Sequence, residues 1–234
     1  VNPDRYPYSY MTPDGMPTGI MVDIFQKAAG RARLRYKFLK PADRSEYKAM
    51  LADGQADFVI DLTDDMSQAE DYGYKLTDSY LSAEFSWVLL RRHNGALNNV
   101  AVAYDFSPSS LEMPGLSDTA HIEYLNSFDD CLATVRDGTV DAYYTYTYQA
   151  ERTVVDDTHN ELRSMLSDEQ RNFCIGVRQD YDVLLRTVLN KSIDSLTRAE
   201  ISTITNAYIN LGQQPFSLTR LAYQYPAIIV LTCL

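Results

Sequence analysis

"LADGQADFVIDL" (residues 51–62) sets the reading of the chain. Leu51 and Ala52 close a short helix begun in "SEYKAM" (45–50), Asp53-Gly54 follows, and Asp57 opens the apolar run Phe58 to Leu62. Glycine directly after a helix takes the left-handed C-cap without a Cβ penalty. An apolar run beyond it reads as a buried strand. The same order returns in "DDCLATVRDGTVDAYYTY" (129–146), with Asp137-Gly138, two residues, Asp141 and a strand. "DGQAD" and "DGTVD" are thus matched helix-Gly-strand units. They predict an α/β protein of two lobes of related build, each a mainly parallel sheet flanked by helices. The plainer alternative is a common C-cap used twice by coincidence.

The flanking sequence extends this pattern. In "VDIFQKAAGRARLRYKFLK" (22–40), Val22, Ile24, Phe25 and Ala28 share one helical face, and Gly30 reads as a stop. The alternating Leu34, Tyr36 and Phe38 then predict a strand. Phe85 to Leu90 is a strand, "RRHNGALNN" (91–99) is polar and turn-rich, and Val100 to Tyr104 is a new strand. A first crossing between lobes is expected near Arg91. The return falls in "NFCIGVRQD" (172–180), before the helical "YDVLLRTVLNKSIDSL" (181–196) and "TRAEISTITNAYINL" (197–211). Lobe one is therefore expected at 1–91 plus 179–222, an inserted lobe two at 92–178, and a separate terminal segment at 223–234. A cleft would lie between the lobes, with hinges at Leu89, Arg91, Gly176 and Arg178.

Composition narrows the function. With 32 acidic against 21 basic residues the net charge is −11, so partners are not expected to include nucleic acid, which demands an excess of Lys and Arg. Hydrophobic residues make up 45% of 234, enough for a real core. Cys131, Cys174 and Cys233 form no CxxC and have no histidine at ligand spacing, and His93, His121 and His159 are isolated. No metal and no cofactor are expected. A Cys131–Cys174 disulfide and buried free thiols are both open readings. No charged-then-apolar leader opens the chain.

These residues resemble the bacterial extracellular solute-binding proteins of family 3, two-lobed periplasmic-binding-protein (type 2, Venus flytrap) receptors for polar amino acids. The resemblance rests on "YPYSYMTPDGMPTGIMVDIF" (6–25), "LADGQADFVIDL", "LTDSYL" (76–81), "SFDDCLATVRDGTVDAYYT" (127–145) and "FCIGVRQDYDVLLRTVLNKSIDSL" (173–196), in the family's order. It spans roughly residues 1–210. It implies lobes that close on a small ligand by hinge motion. One departure is at the start, where only Val1 remains of the first strand.

Carried over residue by residue, the resemblance puts Tyr8 where an aromatic lines the cleft, and Asp61, Leu62 and Asp64 where the ligand is gripped. Arg44 stands where an aromatic stacks. Amino-acid binders clamp the α-carboxylate with an Arg in the next stretch; here that stretch has none, and Glu70 is nearest. Asp105, Phe106 and Ser107 replace a Gly-Thr-Thr helix start, and Tyr146 replaces the Asp that holds the α-amino group. Both charged ends of an α-amino acid lose their partners. The acids and tyrosines, Tyr143, Tyr144 and Tyr148 among them, suit a cationic or aromatic ligand. The competing readings are a degenerate cleft that binds nothing, tyrosines that only pack the sheet, and an Arg44 that pairs with Asp61 or Asp64.

After the last helices the chain ends "YPAIIVLTCL" (225–234), uncharged throughout. Tyr at an interface, Pro at a first turn and then an apolar run match the opening of a membrane helix. The expected function is an extracytoplasmic sensor domain, extracellular or periplasmic and tethered to the cytoplasmic membrane, of a histidine kinase or diguanylate cyclase type receptor. A C-terminal strand or helix packed on lobe one is the simpler account of the tail. The alternatives in function are a solute-binding receptor of an ABC transporter and a cyclohexadienyl-dehydratase-like enzyme. The missing carboxylate clamp and the absence of GxSxG, paired catalytic His or a phosphate loop argue against an enzyme.

Overall fold

The structure, a computed structural model, describes residues 1–103, 113, 116–181 and 183–209, the side chains of Arg44 and Asp118 excepted. In chain order the elements are β1 (Asp4–Arg5), β2 (Ser9–Met11), β3 (Pro17–Thr18), α1 (Ile20–Arg31), α2 (Arg44–Ala52), β4 (Phe58–Thr63), α3 (Met66–Asp71) and β5 (Tyr74–Leu90). There follow β6 (Leu97–Ala103), β7 (Leu116–Leu125), α4 (Phe128–Asp137), β8 (Ala142–Tyr146), α5 (Thr147–Asp156), β9 (Leu162–Arg178), α6 (Val183–Asp194) and α7 (Arg198–Ile209).

The chain forms two compact units. The first comprises Val1–Ala83 and the described residues from Arg171 onward; the second runs from Glu84 to Gln170. The chain passes between them inside the long strands β5 and β9. The sequence reading put the crossings near Arg91 and within residues 172–180, close to the ends of these same strands. The change of packing partners happens within an unbroken strand, and no local residue signals it. The expected segment 223–234 lies outside the described residues.

In the first unit β1, β2 and β3 form a small antiparallel sheet. Strand β4 pairs antiparallel with the end of β9, Phe58 opposite Val177 and Leu62 opposite Cys174. Helix α1 buries Val22, Ile24, Phe25 and Ala28, the face read from the sequence, and also Ile20, Met21 and Ala29. Its end is not made by Gly30: the helix runs to Arg31 and turns through Arg33 at φ +53. Of Leu34, Tyr36 and Phe38, the two aromatics cluster with Phe25, their ring centroids 5.1 and 6.0 Å from its own. They are nevertheless no strand, because the segment pairs with none of the described residues.

Gly54 and Gly138 take φ +62 and +82, the left-handed conformation expected after α2 and α4. Asp43 and Ser127 cap the N-termini of the same two helices, accepting from the amides of Glu46 and Asp130. The second acid of each repeat fixes the strand start. Asp141 Oδ2 accepts from the amides of Asn98 and Asn99 at 2.8 and 2.9 Å, and Asp57 pairs with Arg178 at 3.4 Å.

In the second unit β6 pairs parallel with both β7 and β8, and β8 pairs antiparallel with β5. Its core is aromatic. Phe85 lies opposite Tyr146 and Trp87 opposite Tyr144, and Phe85 stacks on Tyr144 at 5.0 Å with the rings 11° apart. Strand β8 stops at Tyr146, and Thr147 begins α5. The tyrosine alternation through 148 is therefore strand only as far as Tyr146.

Candidate functional site

A single charged residue in the buried strand β4 organises the first unit. Asp61 is 4% exposed, so its carboxylate must find partners inside the protein. Arg5 Nη1 donates to Asp61 Oδ2 at 3.3 Å and to its backbone oxygen at 3.1 Å, and the Tyr47 hydroxyl donates to Oδ1 at 2.6 Å. Arg5 is itself 7% exposed and lies 5.8 Å from the centroid of the Phe173 ring. Tyr80, fully enclosed, donates to the Ile60 carbonyl; burial first and the Asp61 charge second push its phenol well above the ordinary range. Four elements converge here: β1 brings Arg5, α2 Tyr47, β4 Asp61 and β9 Phe173.

This arrangement changes the role read for Asp61. Its carboxylate is neutralised in place by Arg5; the Arg44 side chain is not among those described. An incoming cation finds that oxygen pair already engaged. Sequence reading missed Arg5 and Tyr47, although an Asp alone in "FVIDL" is a signal that a buried cation or hydroxyl must exist somewhere.

The other expected site residues divide. Tyr8 is fully buried, its ring 5.9 Å from Phe173, and Leu62 is buried in the cluster of Tyr47, Leu51, Val59, Ala69 and Tyr74. Tyr146 is buried with its ring 4.7 Å from Phe85. Tyr143 and Tyr144 are buried too, hydrogen-bonded to Thr153 and Ser167. These aromatics pack the cores of their units, as the plainer reading of the tyrosines held. Asp105, Phe106 and Ser107 lie outside the described residues.

Asp64 and Glu70 remain exposed. Asp64 accepts from Asn172 Nδ2 at 2.9 Å. Both acids line a cavity of about 460 Å³ in the first unit, together with Tyr74, Thr77, Cys174 and Arg186. Burial, then Asp64 and Asp78, push the Cys174 thiol up to about 11. Cys131 and Cys174 are both free and buried, each in a different unit, so the disulfide reading falls.

The expected hinge residues sit inside the units. Leu89 pairs with Ala142, and Gly176 pairs with Val59. A Cβ on Gly176 would come 2.5 Å from Leu62 Cδ1, so close packing explains this glycine. Arg91 donates its amide to Glu161. Arg178 bonds Asp180 at 2.7 Å and the Gly54 carbonyl at 3.0 Å, stapling the turn after α2. Among the described residues no group of His, Cys, Asp or Glu could hold a metal ion, and no helix is long and apolar enough to cross a membrane.

The model of the bacterial extracellular solute-binding proteins, family 3, matches residues 1–211. The chain belongs to this family. The substrate-binding protein of an amino acid ABC transporter superposes with a TM-score of 0.70 at 16% identity, over 89% of this chain and 96% of that one. The periplasmic VFT2 domain of Bordetella pertussis BvgS gives 0.72 at 18%, over 87% and 88%. The ancestral amino-acid-binding protein AncCDT-1, a precursor of cyclohexadienyl dehydratase, gives 0.70 at 16%, over 89% and 92%. At these identities the likeness is one of fold: an α/β, two-lobed periplasmic-binding-protein architecture with a mixed sheet. No curated protein sequence is similar enough to count as a relative.

Proposed function

We propose that this family 3 domain is the extracytoplasmic ligand-sensing module of a membrane-tethered signalling protein, of histidine kinase or diguanylate cyclase type, and that its ligand is not a standard α-amino acid. The observation that carries the reading is the buried Arg5–Asp61–Tyr47 arrangement. In β4, where the resemblance implies groups that grip the ligand, the one charged side chain is consumed internally. Glu70 stands nearest the clamping Arg of amino-acid binders, and Tyr146 stands in place of their acid. At the positions where the family's amino-acid binders hold the α-carboxylate and the α-amino group, an α-amino acid would lose the partner of each charge, at a cost of several kcal/mol for a charge left buried. A ligand bearing a cation still meets the exposed carboxylates of Asp64 and Glu70. A sensor can change its ligand and keep the fold, and the likeness to the BvgS domain fits that role. The domain binds and does not catalyse; an elimination enzyme would need the carboxylate clamp.

The competing reading, a receptor for an ABC transporter, is favoured by the likeness to the amino acid transporter protein. A thermal-shift panel of the standard amino acids, polyamines, quaternary ammonium compounds and aromatic acids separates the two. A ligand at a hundred times its Kd stabilises by about 2.7 kcal/mol, which moves the melting point by several degrees. A shift with cations or aromatics alone supports the sensor reading. Tight binding of a standard amino acid, with uptake of that solute and no change in kinase or cyclase output of the full-length protein, would overturn it.

A further inference from the structure

We propose that Asn94 is a modification site: its side-chain amide is attacked by the backbone nitrogen of Gly95, and the residue converts to aspartate and isoaspartate. The site lies in the second unit, in the turn between β5 and β6, and does not depend on what the domain binds.

The sequence holds one Asn-Gly pair, residues 94–95. Glycine has no Cβ to block the approach of its nitrogen to a neighbouring side chain, and its backbone reaches conformations closed to other residues. Both residues are exposed. Among the described residues the Asn94 carboxamide makes no hydrogen bond, and neither does the Gly95 amide. His93 Nε2 donates to the Gly95 carbonyl at 3.1 Å, which engages the oxygen of that residue and leaves its nitrogen open to solvent base. Other asparagines are held. Asn98 accepts from Ser117 Oγ at 3.1 Å, Asn190 accepts from the Asp78 amide at 3.1 Å, and Asn172 accepts from Ser82 Oγ at 2.6 Å while donating to Asp64. Each is followed by a residue with a side chain: Asn99, Lys191 and Phe173. A carboxamide held in this way must give up a hydrogen bond before it can swing toward the next amide.

The chemistry needs no co-reactant but water. Base removes the Gly95 amide proton, the nitrogen bonds to Asn94 Cγ, and the Cγ–Nδ2 bond breaks. The departing nitrogen takes up a proton and leaves as ammonia, and a cyclic succinimide remains. Water then opens either carbonyl of the ring, giving aspartate with the original backbone or isoaspartate with the backbone routed through the side-chain carbon. The new carboxylate follows Arg91, Arg92 and His93 in the chain. The turn that receives it is pinned on one side by the Arg91 amide on the Glu161 carbonyl at 2.7 Å, and on the other by Asp141 Oδ2 on the amides of Asn98 and Asn99.

The test incubates the folded protein at pH 8 and at pH 5 over days. Peptide mapping by mass spectrometry, with aspartate and isoaspartate separated, reads each asparagine in wild type, in Gly95→Ala and in urea-unfolded wild type. Gly95→Ala is a mild variant, since an added Cβ would meet the His93 ring at 3.6 Å, an ordinary contact; a melting curve checks that it folds. The expected result is conversion at Asn94 ahead of every other asparagine, faster at pH 8 than at pH 5, with isoaspartate among the products. Gly95→Ala should slow it about tenfold or more, equivalent to about 1.4 kcal/mol on the barrier. Asn94 intact in the folded protein while the unfolded sample converts would overturn the proposal, because the turn would then shield the pair. So would conversion no faster at Asn94 than at Asn98, Asn99 or Asn126, or a rate that Gly95→Ala leaves unchanged. Should the variant fail to fold, the folded and unfolded wild-type samples decide alone.

Discussion

Asp61→Asn separates a structural role for this carboxylate from a ligand-binding one. The substitution keeps the side-chain shape and removes only the charge. In the wild type Arg5 and Asp61 are 7% and 4% exposed and meet at 3.3 Å, so solvent does little to screen them. Removing one member of a buried ion pair costs about 3–5 kcal/mol, because the remaining charge stays desolvated. For a domain of this size, about 2–4 °C of melting temperature per kcal/mol gives a fall of roughly 6–20 °C. Read from sequence alone, Asp61 replaced by Ala would weaken a cationic ligand at nearly constant melting temperature. The structure reverses that expectation. The assay is thermal unfolding followed by circular dichroism, on Asp61→Asn, Arg5→Met and the double variant. The double variant is expected to recover part of the loss, since it removes both charges together. A melting point for Asp61→Asn within a degree of the wild type would refute the reasoning and return Asp61 to the ligand wall.

Three further outcomes are expected. Glu200 accepts from the Thr197 amide, Lys27 and Arg31, in that order of effect, and its carboxyl is lowered from 4.5 to about 2. Its contribution to α7 docking on α1 is therefore complete above pH 4.5 and lost as pH falls toward 2, so Glu200→Gln should remove that part of the acid transition in a pH-dependent melt. Burial, then Glu84, raise the Glu151 carboxyl. The folded state binds that proton more tightly than the unfolded state does, so Glu151→Gln should stabilise at pH 7, with the gain fading as pH falls to the unfolded carboxylate range; a loss at pH 7 would contradict it. Gly176→Ala puts a Cβ 2.5 Å from Leu62 and 3.2 Å from Tyr74, and overpacking of that kind should cost about 1–3 kcal/mol in a denaturant melt.

What the sequence determined by itself is the local order: helix, left-handed glycine, acid and strand, used twice. Each step of that order depends only on neighbours along the chain, so Gly54, Gly138 and the buried face of α1 were all legible. The family followed from the same motifs. Only tertiary structure decided what each charge does. Asp61 meets Arg5 and Tyr47 because β1, α2 and β4 converge, and Arg186 reaches the cavity of Asp64 and Glu70 from a helix far along the chain. The alternation at Leu34, Tyr36 and Phe38 had the period of a strand without being one, since a strand exists only by pairing. The passage between units lies inside β5 and β9, where backbone pairing continues and only the packing partners change. Local sequence codes conformation through neighbours a few residues apart, whereas pairing of charges and strands depends on which distant segments the fold brings together.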